Sequence, residues 1–389
     1  MGRGDAGMAV GDIMGSLKFF LKNFYTVRSH ILAGMTVVDT PHAPDGAQEL
    51  GENFVCVNSK IDEYKLRSVV KDQRVQPALH AAYCHINTAV PCGNLLLVLT
   101  ESTLTIYDDF HKGDHVAIVA QYVHEDEVGE EKTSLVSAAW MPGALDSEKN
   151  AGSARILLAL SNGSLAVVDI IESKITQMFD GAFDASGYVL LSAPSEWVDG
   201  KEHVCVLGGD AKASVWNVAK EARVASIDKA VSAVAYVEGM LVAAYGASAG
   251  GGVGVHDVDG NESAVGLTGV FAVLGGDEID SILPVGENMC VLRSEREFRL
   301  WNMANGTVKS TFRLKETRDQ SEVAFDANGT VAVLGTEDGD GHVFDVQTGE
   351  KMGQISVVRV SSEVEAVAVS RDGRHVILAA AGFLFRFLK

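Results

Sequence analysis

From about residue 80 onward, short and almost continuously apolar runs alternate with turns rich in Gly, Asn, Asp and Ser. Runs of this kind, such as NLLLVLT (94–100) and RILLALS (155–161), are typical of strands that are covered on both faces. Each turn leads into a second strand that ends in an aromatic or apolar residue followed by a polar one. No long apolar stripe with a 3.6-residue period follows residue 80, so the pattern predicts strands and not helices.

This strand–turn–strand unit recurs seven times. The second strands are LTIYDD (104–109), LAVVDI (165–170), ASVWNV (213–218), VGVHDV (253–258), FRLWNM (298–303), GHVFDV (341–346) and FLFRF (383–387). If Tyr107, Val168, Trp216, His256, Trp301, Phe344 and Phe385 are equivalent, the intervals are 61, 48, 40, 45, 43 and 41 residues. Most intervals match the period of roughly 40–45 residues of WD repeats, and the longest contains the polar insertions 124–132 and 143–152.

Seven such units in series predict an all-β, seven-bladed WD40-type β-propeller over residues 51–389. A β-sandwich offers no reason for seven similar units. The period-2 segment 53–66 is predicted to add a strand beside 383–387, which closes the ring and leaves no bare sheet edge there.

Residues 1–50 are predicted to be an N-terminal extension. Within it, residues 16–34 carry Lys18, Lys22 and Arg28 among apolar residues and contain no acid, unlike the rest of the chain. An amphipathic helix and a disordered arm both fit this composition, and a mitochondrial presequence is an alternative.

The formal net charge of −20 restricts the classes of partner. A surface this acidic repels phosphate backbones, so we expect no direct nucleic-acid binding, whereas basic tails of other proteins would be attracted. The acidity is equally compatible with a role in solubility alone. Five scattered cysteines without a CxxC pair indicate neither a disulfide framework nor a zinc site, which favours a nuclear or cytoplasmic location. No apolar run is long enough to predict a membrane span.

Candidate chemistry is sparse. The chain lacks the nucleotide-binding, zinc-protease, hydrolase and EF-hand motifs, so we expect no enzyme activity and no cofactor. The aromatic residues at the ends of the second strands are predicted to pack between blades. Trp140 lies on an apolar strand and is predicted to be in the core, whereas Trp197, in a polar stretch, is a candidate partner-binding residue.

Three stretches resemble the first blades of the EED / extra sex combs family, the propeller subunits of Polycomb-type histone methyltransferases. They are VCVNSK (55–60), LTIYDDFHKGDHVAIVAQYVHEDE (104–127) and LVSAAWMPG with RILLALSNGSLAVVDI (135–170). The ending EVEAVAVSRDGRHVILAAAGFLFRF (363–387) resembles that family's last blade. The origin-recognition-associated leucine-rich/WD proteins have similar blades and are the near alternative.

The resemblance implies a scaffold that clasps a helix or extended segment of a partner on a propeller face. It also implies an aromatic cage for methyl-lysine, whose positions fall on Tyr83, Val136, Ser321 and Glu322. Only one of these four residues is aromatic, so we expect no preference for methylated over unmodified peptides.

The sequence therefore predicts a non-enzymatic scaffold and core subunit of a multiprotein assembly, with a nuclear, chromatin-associated complex favoured. A histone-tail or peptide reader in its own right, and a cytoplasmic trafficking or cytoskeletal scaffold, are the alternatives.

Overall fold

The computed structural model describes residues 36–38, 47–50, 54–58, 64–71, 77–84, 95–109, 117–124, 133–142, 155–170, 174–194, 202–237, 240–246, 252–257, 266–271, 279–285, 288–294, 297–313, 323–326, 328–358 and 363–389. These residues form β-strands, numbered β1 to β31 along the chain, and the turns between them. Within these ranges, no helix is long and apolar enough to cross a membrane.

The strands form seven antiparallel sheets, and the repeats follow one another around a ring. Four strands precede the first repeat: β1 (Thr36–Val38), β2 (Ala47–Leu50), β3 (Phe54–Asn58) and β4 (Lys65–Lys71). Blade one is β5 (His80–Tyr83), β6 (Leu95–Leu99), β7 (Thr103–Asp108) and β8 (Ala117–Val123). Blade two is β9 (Leu135–Met141), β10 (Arg155–Leu160), β11 (Leu165–Asp169) and β12 (Lys174–Phe179). Blade three is β13 (Leu190–Ser192), β14 (His203–Leu207), β15 (Ala213–Asn217) and β16 (Ala222–Ile227).

The remaining four blades continue the same order. Blade four is β17 (Val231–Val237), β18 (Met240–Tyr245), β19 (Val253–Asp257) and β20 (Gly266–Phe271). Blade five is β21 (Ser281–Pro284), β22 (Met289–Ser294), β23 (Glu297–Asn302) and β24 (Thr307–Arg313). Blade six contains β25 (Val323–Phe325), β26 (Val331–Gly335), β27 (Asp340–Asp345) and β28 (Lys351–Val358). Blade seven contains β29 (Ala366–Val369), β30 (His375–Ala380) and β31 (Phe383–Leu388). The prediction of a seven-bladed β-propeller is confirmed, and the architecture is consistent with a WD40 fold.

The core of this propeller is divided among the seven seams, the interfaces between neighbouring blades. Seven clusters of buried apolar side chains occur among the described residues, and each joins two adjacent blades. Within a four-stranded blade, the apolar run of the sequence pattern is the second strand and the strand after its turn is the third. Both are buried along their whole length in blades one and two, because a neighbouring blade covers each face. Near-continuous apolar sequence is the consequence of this double coverage.

The predicted equivalence of the seven positions from Tyr107 to Phe385 is correct in six blades and is shifted by two residues in the seventh. In blades one to six, the pairing of the third strand with the fourth slips by one residue immediately before the equivalent position. In blade seven the slip precedes Phe387 and not Phe385, so the last interval is 43 residues. Phe385 and Phe387 are both buried in the seam between blades six and seven, which is why the sequence pattern did not distinguish them.

In blades three, five and six the polar residue after the equivalent position has a local structural role. Asn217, Asn302 and Asp345 each end a third strand, and their side chains accept hydrogen bonds from backbone N–H groups of the next turn. For Asp345, the donors are the amides of Gln347 and Thr348, both at 2.8 Å. This is the Asx-turn geometry that stabilises a tight reversal of the chain.

The ring is closed by N-terminal strands, and of the segment 53–66 that the sequence indicated only residues 65 and 66 belong to the closing strand. β4 pairs with β31, so an N-terminal strand beside 383–387 is confirmed as the closing element. The assignment of 53–66 to that strand is wrong for residues 54–58, because β3 pairs with β28 of blade six. β1 extends blade seven beyond β4, and β2 extends blade six beyond β3. A period-2 pattern predicts a strand but does not specify which of two open edges it joins.

Candidate functional site: the two faces and the closing seam

The propeller has two loop faces of different charge. One face consists of the turns between second and third strands and the connections from one blade to the next. The other consists of the turns between first and second and between third and fourth strands. We call these the acidic face and the opposite face. Successive turns of an antiparallel sheet lie at alternate ends of the strands, so the two sets are separated by the length of a strand.

Acidic side chains dominate the first of these faces. Among its described residues, nine exposed acids accompany two exposed bases, Lys212 and Lys229. The acids are Glu101, Asp180, Asp184, Asp210, Asp228, Asp280, Glu337, Asp338 and Glu363. The described turns of the opposite face carry exposed Lys220, Arg371, Arg374 and Lys389 against Glu221, Glu350 and Asp372. Among the described turns, the negative charge is therefore concentrated on one face.

The acidic face has a well-formed corner where blade two connects to blade three. The amide of Gly209 donates to the carbonyl of Asp184 at 2.6 Å, which brings the connecting loop onto the turn between β14 and β15. The two backbones approach so closely that a Cβ on Gly209 would lie 2.3 Å from the nitrogen of Gly187. Next to this contact, the ring of Tyr188 is 71% exposed. The corner therefore presents an aromatic surface on a loop that backbone contacts hold in place.

Hydrogen bonds hold the carboxylate of Asp184 in this corner. Hydrogen bonds from Ser186 lower the pKa of Asp184 below its usual value, and its Oδ1 accepts the Ser186 amide at 2.8 Å. Lys212 forms an ion pair with Asp210 at 3.0 Å, and this contact raises the pKa of the lysine. Because Lys212 is paired with Asp210, it neutralises little of the negative charge of Asp184. The arrangement suits an arginine or lysine side chain of a partner.

The structure describes two of the four residues of the predicted cage and places them in different seams. Tyr83 is 3% exposed and packs in the seam between blades one and seven. Val136 is half-buried and packs in the seam between blades two and three. Ser321, Glu322 and Trp197 lie outside the described residues. The cage and its lack of methyl-lysine preference stay predictions, and the Tyr83 ring would become accessible to a ligand only if its seam opened.

A buried polar cluster at the seam between blades one and seven is the site that sequence reasoning missed. Asp109 lies at its centre with a fully buried side chain, and Arg386 forms an ion pair with it. The Nδ1 atom of His375 lies 2.7 Å from Asp109 Oδ2, and the hydroxyl of Tyr83 donates to the same oxygen. Burial, reinforced by the Asp109 charge, raises the pKa of Tyr83 well above its usual value. One signal was present: Arg386 interrupts the apolar run FLFRF (383–387).

Although this cluster contains an acid, a histidine and a tyrosine, its geometry is that of a structural tie. Asp109 and Arg386 are 0% and 1% exposed at their side chains, so solvent and substrate do not reach the pair. No group of three potential metal ligands occurs within the described ranges. The cavity between blades one and two, lined by Leu104, Ile106 and Tyr122 among others, has a volume of about 10 Å³ and so holds about one water molecule.

Comparison with known proteins adds evidence on the fold. No family model and no curated protein matches the sequence. Among solved structures, Raptor of Chaetomium thermophilum is similar, with a TM-score of 0.61 and 12% sequence identity. The similarity covers 86% of this chain and 29% of the Raptor chain. At this identity the likeness shows a shared propeller fold alone.

Proposed function

We propose that this chain is a non-catalytic scaffold that docks a lysine- or arginine-rich segment of a partner protein on its acidic face. The observation that carries the proposal is the unequal charge of the two faces: among the described residues, one face has nine exposed acids and two exposed bases, and the other has three acids and four bases. A cationic segment is attracted to the first face and weakly repelled by the second. The charge distribution therefore selects both the chemistry of the partner and the side on which it binds.

Two further features support docking at this face. The exposed ring of Tyr188, four residues after Asp184 in the same connecting loop, offers a cation–π surface to a cationic side chain of the partner. The blades behind it are held by apolar cores at every seam, so the loops are presented on a rigid support. A rigid platform loses little conformational entropy when a partner binds.

The identity of the assembly rests on the sequence. The resemblance of 104–127 and 135–170 to the extra sex combs family supports a core subunit of a nuclear, chromatin-associated complex. A cytoplasmic scaffold would use the same face in the same way. The partner segment would lie as a helix or an extended strand across the loops, the two modes by which propellers clasp peptides.

Charge reversal on the two faces tests the proposal. The acidic-face variant carries Glu337→Lys and Glu363→Lys, and the matched control on the opposite face carries Glu221→Lys and Glu350→Lys. All four residues are exposed, and both variants change the net charge equally. Binding of a fluorescein-labelled oligo-arginine peptide is measured by anisotropy, and circular dichroism checks that both variants fold.

We expect the acidic-face variant to bind about 5- to 30-fold more weakly and the control to change by less than about twofold. If both variants lost the same affinity, only the net charge of the chain would matter, and docking on this face would be rejected.

A further inference from the structure

The seam between blades one and seven differs from four other seams at two facing positions. The first position lies in the third strand of a blade. It is the residue that pairs with the third residue of that blade's own second strand, and its side chain points at the following blade. The second is the residue directly after the third strand of that following blade. At four seams both positions are apolar and share one cluster: Ile106 with Ile170, Val167 with Val218, Val255 with Met303, and Leu300 with Val346.

At the closing seam the same two positions hold Arg386 and Asp109. Arg386 pairs with Ile377, the third residue of β30, and Asp109 directly follows β7. Besides the ion pair between their side chains, Nη2 of Arg386 donates to the backbone oxygen of Asp109 at 3.3 Å. A charged pair therefore replaces an apolar pair in the interior of one particular seam.

This seam is also distinct in its connectivity. Blade seven consists of β29–β31 from the end of the chain and β4 from its beginning. The chain leads from β4 to β5, but β29–β31 reach blade one through non-covalent contacts alone. Arg386 and Asp109 are 277 residues apart in the sequence. Apolar packing tolerates small slips, whereas a buried ion pair with hydrogen bonds is satisfied in one register only.

We propose that the Asp109–Arg386 pair is a closure lock, which holds β29–β31 on blade one in a single register. When the pair is broken, the ring opens at this seam before any other. His375 and Tyr83 reinforce the lock, because each contacts the second carboxylate oxygen of Asp109. The carboxylate of Glu365 adds a neighbouring tie, since it accepts hydrogen bonds from the amides of Ala78 at 2.8 Å and Ala381 at 3.1 Å.

A second buried ion pair supplies the control. Arg155 Nη2 lies 3.0 Å from Glu202 Oε2 in the seam between blades two and three, and each side chain is 7% exposed. The two residues are 47 apart in the sequence, and the loop 180–189 ties their blades covalently. Loss of this pair destabilises the protein but releases no chain end.

The test is hydrogen–deuterium exchange with mass spectrometry on the full chain. We expect Arg386→Leu to accelerate amide exchange about tenfold or more in β29–β31 and β5, with blades three to five changed less than about twofold. We expect Arg155→Leu to produce no selective acceleration in β29–β31. Uniform acceleration around the ring, or the same pattern in both variants, would overturn the proposal.

The double variant Asp109→Val with Arg386→Leu covers the case in which Arg386→Leu does not fold. It removes both charges of the pair and recreates an apolar pair like that of Val167 and Val218, while the hydroxyl of Tyr83 and Nδ1 of His375 lose their contact with Asp109. We expect it to fold and to exchange about threefold or more faster than the wild type in β29–β31, because the directional contacts are gone. Exchange equal to that of the wild type would show that the ion pair is not a lock.

Discussion

At the scale of single residues, the tryptophans show how much burial differs among positions that the sequence presents as equal. Trp301 and Trp216 occupy the same place in their third strands, but Trp301 is 1% exposed, whereas Trp216 is half-buried. Trp301 packs between blades four and five. Trp216 packs only its inner part against the seam of blades two and three, and its indole N–H donates to Ser214 at 3.1 Å. Trp140 is 8% exposed and donates to the carbonyl of Ala82, which confirms its core assignment.

Truncation of these two residues should therefore have unequal costs. We expect Trp301→Ala to lower the free energy of unfolding by about 3–5 kcal/mol, because it leaves a large cavity in a closed cluster. We expect the matched Trp216→Ala to cost about 1–2 kcal/mol, since solvent already reaches part of the ring. Denaturant titration measures both, and a loss below about 1 kcal/mol for Trp301→Ala would contradict its burial.

Burial at two histidines predicts a pH dependence of stability. It lowers the pKa of His80 to about 4. The pKa of His256 is also lowered, first by burial and then by the charge of Lys229. Between about pH 6.5 and 4, the unfolded chain binds protons that the folded chain does not, so stability rises with pH in this window. We expect His80 to contribute about 1–3 kcal/mol to the loss at pH 4.

The variant His80→Gln checks this expectation. Its midpoint of urea unfolding, measured at pH 7, 5.5 and 4.5, should fall less steeply than that of the wild type as the pH decreases. Profiles of equal slope would mean that His80 titrates normally in the folded state.

At the scale of elements, the turns from third to fourth strand set the geometry of each blade. In blades three, five and six they begin at an Asn or Asp whose side chain accepts backbone N–H groups, as Asn302 does from Ala304 at 2.9 Å and Asn305 at 3.2 Å. The polar residue that ends the third strand in these blades is thus explained by turn capping. Its apolar partner, one residue earlier, is explained by packing in the seam.

Removal of one such cap should have a measurable cost. We expect Asp345→Ala to lower the free energy of unfolding by about 1–2 kcal/mol, because two turn amides lose their acceptor. The control is Asp338→Ala at an exposed position in a turn of the acidic face, expected to cost less than about 0.5 kcal/mol. Equal losses in thermal unfolding would show that Asp345 has no capping role.

At the scale of the whole molecule, closure and charge are the two properties that no single blade has. Closure depends on β4 and on the buried cluster around Asp109, which bring the two ends of the chain together. The charge asymmetry depends on the ring placing turns from many blades on one face. Both properties are collective, since no blade contributes more than three of the nine described acids.

The charge asymmetry predicts a strong dependence of docking on salt. We expect an oligo-arginine peptide to bind roughly tenfold more weakly at 0.5 M than at 0.05 M NaCl, because the screening length shortens from roughly 14 to 4 Å. Opposite-face variants should keep this dependence, whereas the acidic-face variant should lose most of it. Affinity that is independent of salt would contradict electrostatic docking.

Most of the architecture followed from the sequence itself. Seven repeats, the apolar second strands and the packing of Trp301, Phe344 and Phe385 were predicted from period and composition, because each blade repeats the same local requirement. Local requirements are visible in local sequence. The net charge was visible in the same way, since it is a sum over the chain.

Only the tertiary structure decided what depends on contacts between distant parts of the chain. It placed β3 on blade six and β4 on blade seven, and it shifted the last equivalent position to Phe387. It also brought Asp109 against Arg386. A period-2 pattern predicts that a strand will pair with a sheet edge, and a charged residue within an apolar run predicts a buried partner of opposite charge. Which edge and which partner are settled by closure of the ring, because the two ends meet only when all seven blades are in place.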